Sequence, residues 1–213
     1  MQRRSSMILL LAAAQLTLVV GSGLALAAVQ AAPAASPLEA SLVETGKVAV
    51  DGREVPYRIR NLPTNAFPEL PPAISNVLNT RGCLIPQTYE AHRPENVIHG
   101  SFERSGSSDW AALCSAKGEI SLLVFFASGS PALPTVLEQS PMAGRLQAHG
   151  SSGELGFNWG IDPASPKRVH DAQAAMEHRP PQLDHDCLAD STLDIRTVYH
   201  LYRSGAWVKV ETE

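Results

Sequence analysis

The 213-residue chain has no run of lysine or arginine after Arg3-Arg4. Phosphate contacts need a basic patch, so nucleic acid is excluded as a partner. Past its N-terminus the chain has no long apolar stretch, and nothing in its body is expected to span a membrane. No cysteine follows the N-terminal apolar run, so a mature N-terminus has no thiol for lipid attachment. There is no Gly-x-Ser-x-Gly elbow of the kind that presents a catalytic serine, and no internal repeat.

The N-terminus itself is informative. Arg3 and Arg4 precede MILLLAAAQLTLVV, and small residues then lead to Ala25-Leu26-Ala27. This is the pattern of a secretory signal peptide over residues 1–27. The apolar core is about fourteen residues and carries Gln15 and Thr17, too short and too polar for the roughly twenty residues of a spanning helix. Cleavage is expected after Ala27, with Ala31 as the alternative, and the paired arginines leave both the general and the twin-arginine route open. Removing residues 1–27 takes away two arginines and no acid. The mature chain then has 15 basic against 21 acidic residues, a net charge of −6. The protein is expected to be exported, to the periplasm or beyond the cell.

Residues 28–45 are rich in alanine and proline without an apolar period and read as a disordered leader. One domain is expected over residues 46–213, large enough to bury a core of its own. Asp51-Gly52 between VAV and the alternating Val55, Tyr57 and Ile59 signals a hairpin. Pro71-Pro72, then Ile74, Val77 and Leu78, then Gly82, predict a helix with proline at its start and glycine just past its end. The following LIPQTYEAHRPE reads as irregular. NVIHGSFE (96–103), DWAALCS (109–115) and EISLLVFFA (119–127) predict strands, and the last, apolar on both faces, a central one. Residues 128–153 are expected to hold at most one helical turn, near Val136 and Leu137. LGFNWG (155–160) reads as a strand by its pattern. Ser165-Pro166 caps a second helix, with Val169, Ala172 and Met176 on one face, expected to run to Pro180-Pro181. RTVYHLYR and AWVKVET flank Ser204-Gly205 as a closing hairpin. The fold class is α+β, a mainly antiparallel sheet with two short helices.

The densest cluster of chemistry-bearing residues is HRPPQLDHDCLAD (178–190). Asp184, His185, Asp186, Asp190 and Asp194 could offer metal ligands, but the acidic alternation of a calcium loop stops after Asp186. His178 and His185 are separated by a proline pair that fixes no common helical face, unlike the short paired spacing of zinc sites. No metal and no cofactor are expected. Asp184 and Asp186 are instead expected to accept main-chain N–H groups at a turn. As catalytic groups, Asp184, His185 and Asp186 are weak candidates. Ser107, Ser108 or Ser151 with His185 and an aspartate would make a triad only by chance convergence. His99 and His200 read as ordinary strand residues. Cys187 lies among acids that push its thiol pKa up, which disfavours a nucleophile. Of Cys83, Cys114 and Cys187, two are expected to pair in an oxidising compartment, and three pairings are open.

The segments RGCLIPQTYEAHRPENVIHGSFERSGSSDWAALCS and LLVFFASGS, then PPQLDHD and the final Gly-x-Trp hairpin, span about 130 residues. In order and spacing they resemble a group of uncharacterised secreted bacterial proteins with the patterns Arg-Gly-Cys-x-Ile-Pro-Gln, Asn-Val-Ile-x-Gly-x-Phe and Asp-Trp-Ala-x-Leu-Cys-Ser. The resemblance implies a shared fold and export, and carries over no catalytic residue. Where those relatives have glycine after Asp-His-x, this chain has Cys187. That departure implies that Cys187 is the free thiol and that Cys83 and Cys114 form the disulfide. The expected function is a non-catalytic binding or inhibitory module whose partner is an extracytoplasmic protein or a small ligand. The alternative is a small extracytoplasmic hydrolase with its site near Asp184, His185 and Asp186.

Overall fold

The structure is a computed structural model and describes residues 41–212. The expected signal peptide and residues 28–40 of the leader lie outside the described residues. In chain order the elements are β1 (Leu42–Val50), β2 (Arg53–Leu62), α1 (Pro72–Arg81), β3 (Ile85–Gln87), β4 (Val97–Gly100), β5 (Asp109–Ala116), β6 (Glu119–Phe125) and β7 (Thr135–Pro141). β8 (Leu146–Ala148), β9 (Leu155–Phe157), β10 (Trp159–Ala164), α2 (Pro166–Ala172), β11 (Cys187–Thr192), β12 (Arg196–Arg203) and β13 (Ala206–Val210) follow. They form three sheets, β1-β2-β9-β8 with β3 added to β2, β4-β5-β6-β7, and β10-β11-β12-β13. Among the described residues only β2 and β9 pair in parallel. The fold is α+β with mainly antiparallel sheets, and no described helix is long and apolar enough to cross a membrane.

Local chemistry explains the hairpins. Asp51-Gly52, Lys117-Gly118 and Ser204-Gly205 all adopt positive φ at both central residues, the mirror-image turn whose twist matches that of the flanking strands. α1 starts on Pro71-Pro72 and ends where Gly82 takes φ 72°. Gly82 N–H and Cys83 N–H then bond the carbonyls of Asn79 and Leu78, satisfying groups the helix end leaves free.

β6 is covered on both faces, as its apolar run predicts. Ile120, Leu122 and Val124 face a core shared with Phe102, Phe157, Trp159 and Leu188. Leu123 and Phe125 face a second core built on Ile74 and Leu78 of α1. The Cys83–Cys114 disulfide lies in this second core and joins the end of α1 to β5. α2 covers the outer side of β11 and β12 through Val169, packed with Cys187, Ala189, Tyr199 and Leu201. Cys187 is free and buried. Burial, then the charge of Asp186, pushes its thiol up to about 12.

Five expectations need correction. β1 begins at Leu42, and Leu42–Thr45 pair with Arg58–Asn61 of β2. Leu42 and Val43 are exposed, so no burial pattern marks them; main-chain pairing makes the strand, aided by Glu44, which accepts from the Tyr57 hydroxyl (3.2 Å) and Asn61 Nδ2 (3.4 Å) of β2. Val136 and Leu137 lie in β7, not in a helical turn. The apolar β6 needs a neighbour on that side, and Pro141 sits at the strand's end, where an edge strand tolerates it. Within the stretch read as irregular, Ile85–Gln87 form β3 on β2. α2 stops at Ala172, well before the proline pair, because the next residue, the buried Gln173, bonds the Glu211 carbonyl with its side chain (3.0 Å). Arg179 also donates to the His170 carbonyl at the helix end. Finally, the HRPPQLDHDCLAD stretch is a connector only as far as Asp186, since CLAD begins β11, paired on both sides.

One side chain joins all three sheets. Asn96 is buried at φ 69°, a conformation that asparagine adopts more readily than most residues. Its Nδ2 donates to the carbonyls of Pro86 (2.7 Å) and Trp159 (3.2 Å), and its Oδ1 accepts from Ile161 N–H (3.0 Å). Its own carbonyl accepts from Leu113 N–H. Asn96→Ala strands three buried main-chain groups and places alanine at positive φ. It should destabilise by roughly 3 to 5 kcal/mol, read by denaturant unfolding; a loss below 1 kcal/mol would refute this role. A chain beginning at Gly46 should melt several degrees below one beginning at Ser41, and equal melting temperatures would show that the Leu42–Thr45 pairing adds nothing.

Candidate functional site

The β4–β5 connection, Ser101–Ser108, is held by two aspartates, one that directly follows it and one far along the sequence. Asp109 is fully buried; its Oδ2 accepts from Glu103 N–H (2.7 Å) and the Ser107 hydroxyl, and its Oδ1 from Ala127 N–H (2.8 Å). Asp186 accepts from Ser101 N–H (3.0 Å) through Oδ2 and donates its own N–H to the Ser101 carbonyl (3.1 Å). Ser101 Oγ then donates to the Ser107 carbonyl, closing the loop across its base. Gly100 is required here, since a Cβ would lie 2.8 Å from the Phe102 ring.

One side of this loop borders a cleft of about 380 Å³ lined by Glu103, Arg104, Gln182, Asp184, His185 and Arg203. Arg104 pairs with Glu103 at 2.6 Å. His185 is buried, with Nδ1 2.7 Å from Asp184 Oδ1 and Nε2 2.9 Å from the Tyr202 carbonyl. The His185 hydrogen bond is the main reason that the exposed Asp184 carboxyl is held below the usual range. Of the three weak catalytic candidates, the cleft brings Asp184 and His185 together, while Asp186 is spent on Ser101. Asp184 pairs with its neighbouring ring, where a turn bond to main-chain N–H was expected. Both ring nitrogens of His185 are occupied, so no serine meets it.

The remaining candidates are dispersed. His178 and Ser151 are exposed, and Asp194 accepts from the Tyr89 hydroxyl (2.9 Å). Burial first, then that bond, pushes Tyr89 up to about 12. Ser107 Oγ bonds Asp109 and the Arg104 carbonyl. Ser108 Oγ lies 2.8 Å from His99 Nε2. Sequence reading missed that pair, although the antiparallel partnering of NVIHG with DWAAL, which sets His99 opposite Trp110, could have found it.

It also missed a buried cluster between two sheets. Donor atoms of Glu138 (β7), Asp190 (β11) and His200 (β12) lie within 4.8 Å of one another. Asp190 accepts from Trp159 Nε1 (2.6 Å) and lies 3.4 Å from His200 Nε2. Arg145 bonds Glu138 and lies over the Trp159 ring at 3.6 Å. Among the described residues this trio is the group close enough to hold a metal ion. A cation there would compete with Arg145, and with Arg196 and Lys209, which line the same water-sized space of about 40 Å³. The arrangement is instead suited to two carboxyls sharing a proton. Burial, then the neighbouring Asp190, raises Glu138. Burial pushes Asp190 upward too, but hydrogen bonds from His200, Glu138 and Trp159 outweigh it and hold Asp190 below the usual range. At the low pH where the pair holds one proton, these opposite directions place it on Glu138.

No known protein family, curated protein or solved structure matches the chain.

The two carboxyls have opposite linkage. A raised Glu138 stabilises the fold at low pH, and that contribution is lost as pH rises from the ordinary value of 4.5 through the folded-state value. A lowered Asp190 stabilises above its ordinary value of 3.8, and its contribution is lost as pH falls. Glu138→Gln keeps the hydrogen bond to Asp190 without a titrating proton. Its stability should decline less than that of the wild type as pH rises above about 4.5, measured by urea unfolding at successive pH values. Parallel declines would refute the shared proton.

Proposed function

We propose that the protein is an exported binding or inhibitory module and that the cleft with which it binds is non-catalytic. Its recognition surface is the cleft between the Ser101–Ser108 loop, the 181–185 connector and the tip of the β12–β13 hairpin, and its partner is an extracytoplasmic protein. The observation that carries this reading is the fixing of the loop by Asp109 and Asp186. A loop held in one shape by hydrogen-bonded carboxylates loses little conformational freedom on binding. The imidazole that borders the cleft has both nitrogens engaged, which favours recognition over reaction there. Arg104 and Arg203 line the cleft together with Glu103 and Asp184, a mixed charge pattern that favours a partner surface with complementary charges. The Cys83–Cys114 disulfide is in keeping with an oxidising compartment, and the resemblance to secreted bacterial proteins points the same way. The alternative of a hydrolase built on Asp184, His185 and Asp186 draws no support from their geometry.

The test is a pull-down from the exported fraction with the wild-type domain and with an Arg104→Glu/Arg203→Glu double variant of matched melting temperature. The wild type should capture a partner that the double variant loses. Equal capture by both would overturn the assignment of the cleft.

A further inference from the structure

We propose that Ser108 and His99 form a nucleophile–base pair able to hydrolyse a carboxylic ester, an activity that goes beyond the binding reading and uses neither side chain of that cleft. The antiparallel register of β4 and β5 places His99 opposite Trp110, and Ser108 immediately precedes β5. The imidazole rests on Trp110 with ring centroids 4.7 Å apart, which restricts its rotation, and its Nε2 lies 2.8 Å from Ser108 Oγ. That is the contact distance of a serine and its general base.

Two other hydroxyls of the loop, those of Ser101 and Ser107, face oxygen acceptors. Ser101 donates to the Ser107 carbonyl, and Ser107 donates to the Arg104 carbonyl and Asp109. Ser108 is the one whose partner is a base. It directly precedes Asp109, the first residue of β5, whose carboxylate is fixed at both oxygens, so the hydroxyl is presented from a rigid support. Both Ser108 and His99 are exposed and open to a substrate. His99 also borders a second cleft of about 360 Å³, lined by Arg93, Glu95, Val97, Asp162 and Pro163 among others. It leaves room beside the base for an acyl group, between walls that carry charges of both signs.

The chemistry balances with water as the second reactant. Ser108 Oγ attacks the ester carbonyl carbon and its proton passes to His99 Nε2. The carbon–alkoxy bond breaks, the alkoxide takes that proton and leaves as the alcohol, and Ser108 holds the acyl group. Water then attacks the acyl carbon, giving a proton to His99, which returns it to Ser108 Oγ as the carboxylic acid departs.

A fluorophosphonate probe and p-nitrophenyl acetate test the pair on the full mature chain. One probe adduct is expected, on the peptide that carries Ser108, and none on Ser108→Ala. His99→Ala should be labelled and should turn over ester about a hundredfold more slowly, with partial recovery in added imidazole. No adduct on the wild type, an adduct on a different serine, or an unchanged rate in His99→Ala would each overturn the assignment.

Discussion

The Asn96 carboxamide bonds the carbonyls of Pro86 and Trp159 and the N–H of Ile161, and so sets β3 and β10 against the start of β4. An apolar side chain could fill the space but would leave three buried main-chain groups unpaired, each costing about 1–3 kcal/mol. The residue's positive φ turns the chain sharply between the Glu95 region and β4, so the direction in which β4 leaves is fixed at the same point. Everything built on β4 inherits that direction: His99, Gly100, the Ser101–Ser108 loop and the clefts on either side of it. The apolar cores supply the bulk of the driving force. They do not by themselves choose how three sheets with different strand directions meet, because apolar contact is non-directional and the hydrogen bonds of Asn96 are not.

The same device recurs at smaller scale. Asp109 and Asp186 hold the loop by accepting main-chain N–H groups, and Asp190 anchors Trp159 Nε1 where β7, β11 and β12 approach. In each case a buried or half-buried acid is satisfied by donors outside its own element, so losing one contact disturbs two parts of the fold. The loop that results is rigid, with charged residues on one side and the His99–Ser108 pair on the other. The proposals for binding and for ester cleavage both rest on that rigidity.

Much of the architecture is legible in the sequence because its signals are local. The paired turn residues at 51–52, 117–118 and 204–205 announce hairpins, Pro71-Pro72 and Gly82 bracket α1, and the unbroken apolar run of β6 announces a strand covered on both faces. The misreadings come from elements whose reason is not local. β7 is an edge strand defined by its neighbour, Leu42–Thr45 are ordered by pairing with β2 and the Glu44 bonds to it, and α2 ends where Gln173 meets the C-terminal segment. Asp186 does accept a main-chain N–H, as its residue type suggests, but from Ser101, 85 positions away. Asp190 and His200 become neighbours only through the register of β11 and β12. No spacing rule reveals contacts of that kind, and a lone asparagine before a strand carries no mark of a three-sheet junction.

The central claim is that buried polar side chains fix the loop and the sheet junction as firmly as the cores are fixed. Native-state amide hydrogen exchange tests it without altering the molecule. The N–H groups of Ile161, Ser101 and Ala127, held by Asn96, Asp186 and Asp109, should exchange only through global unfolding, with the same opening free energy as Leu122 and Leu123 of β6. Faster exchange at these three positions, through local opening that leaves β6 protected, would contradict the account.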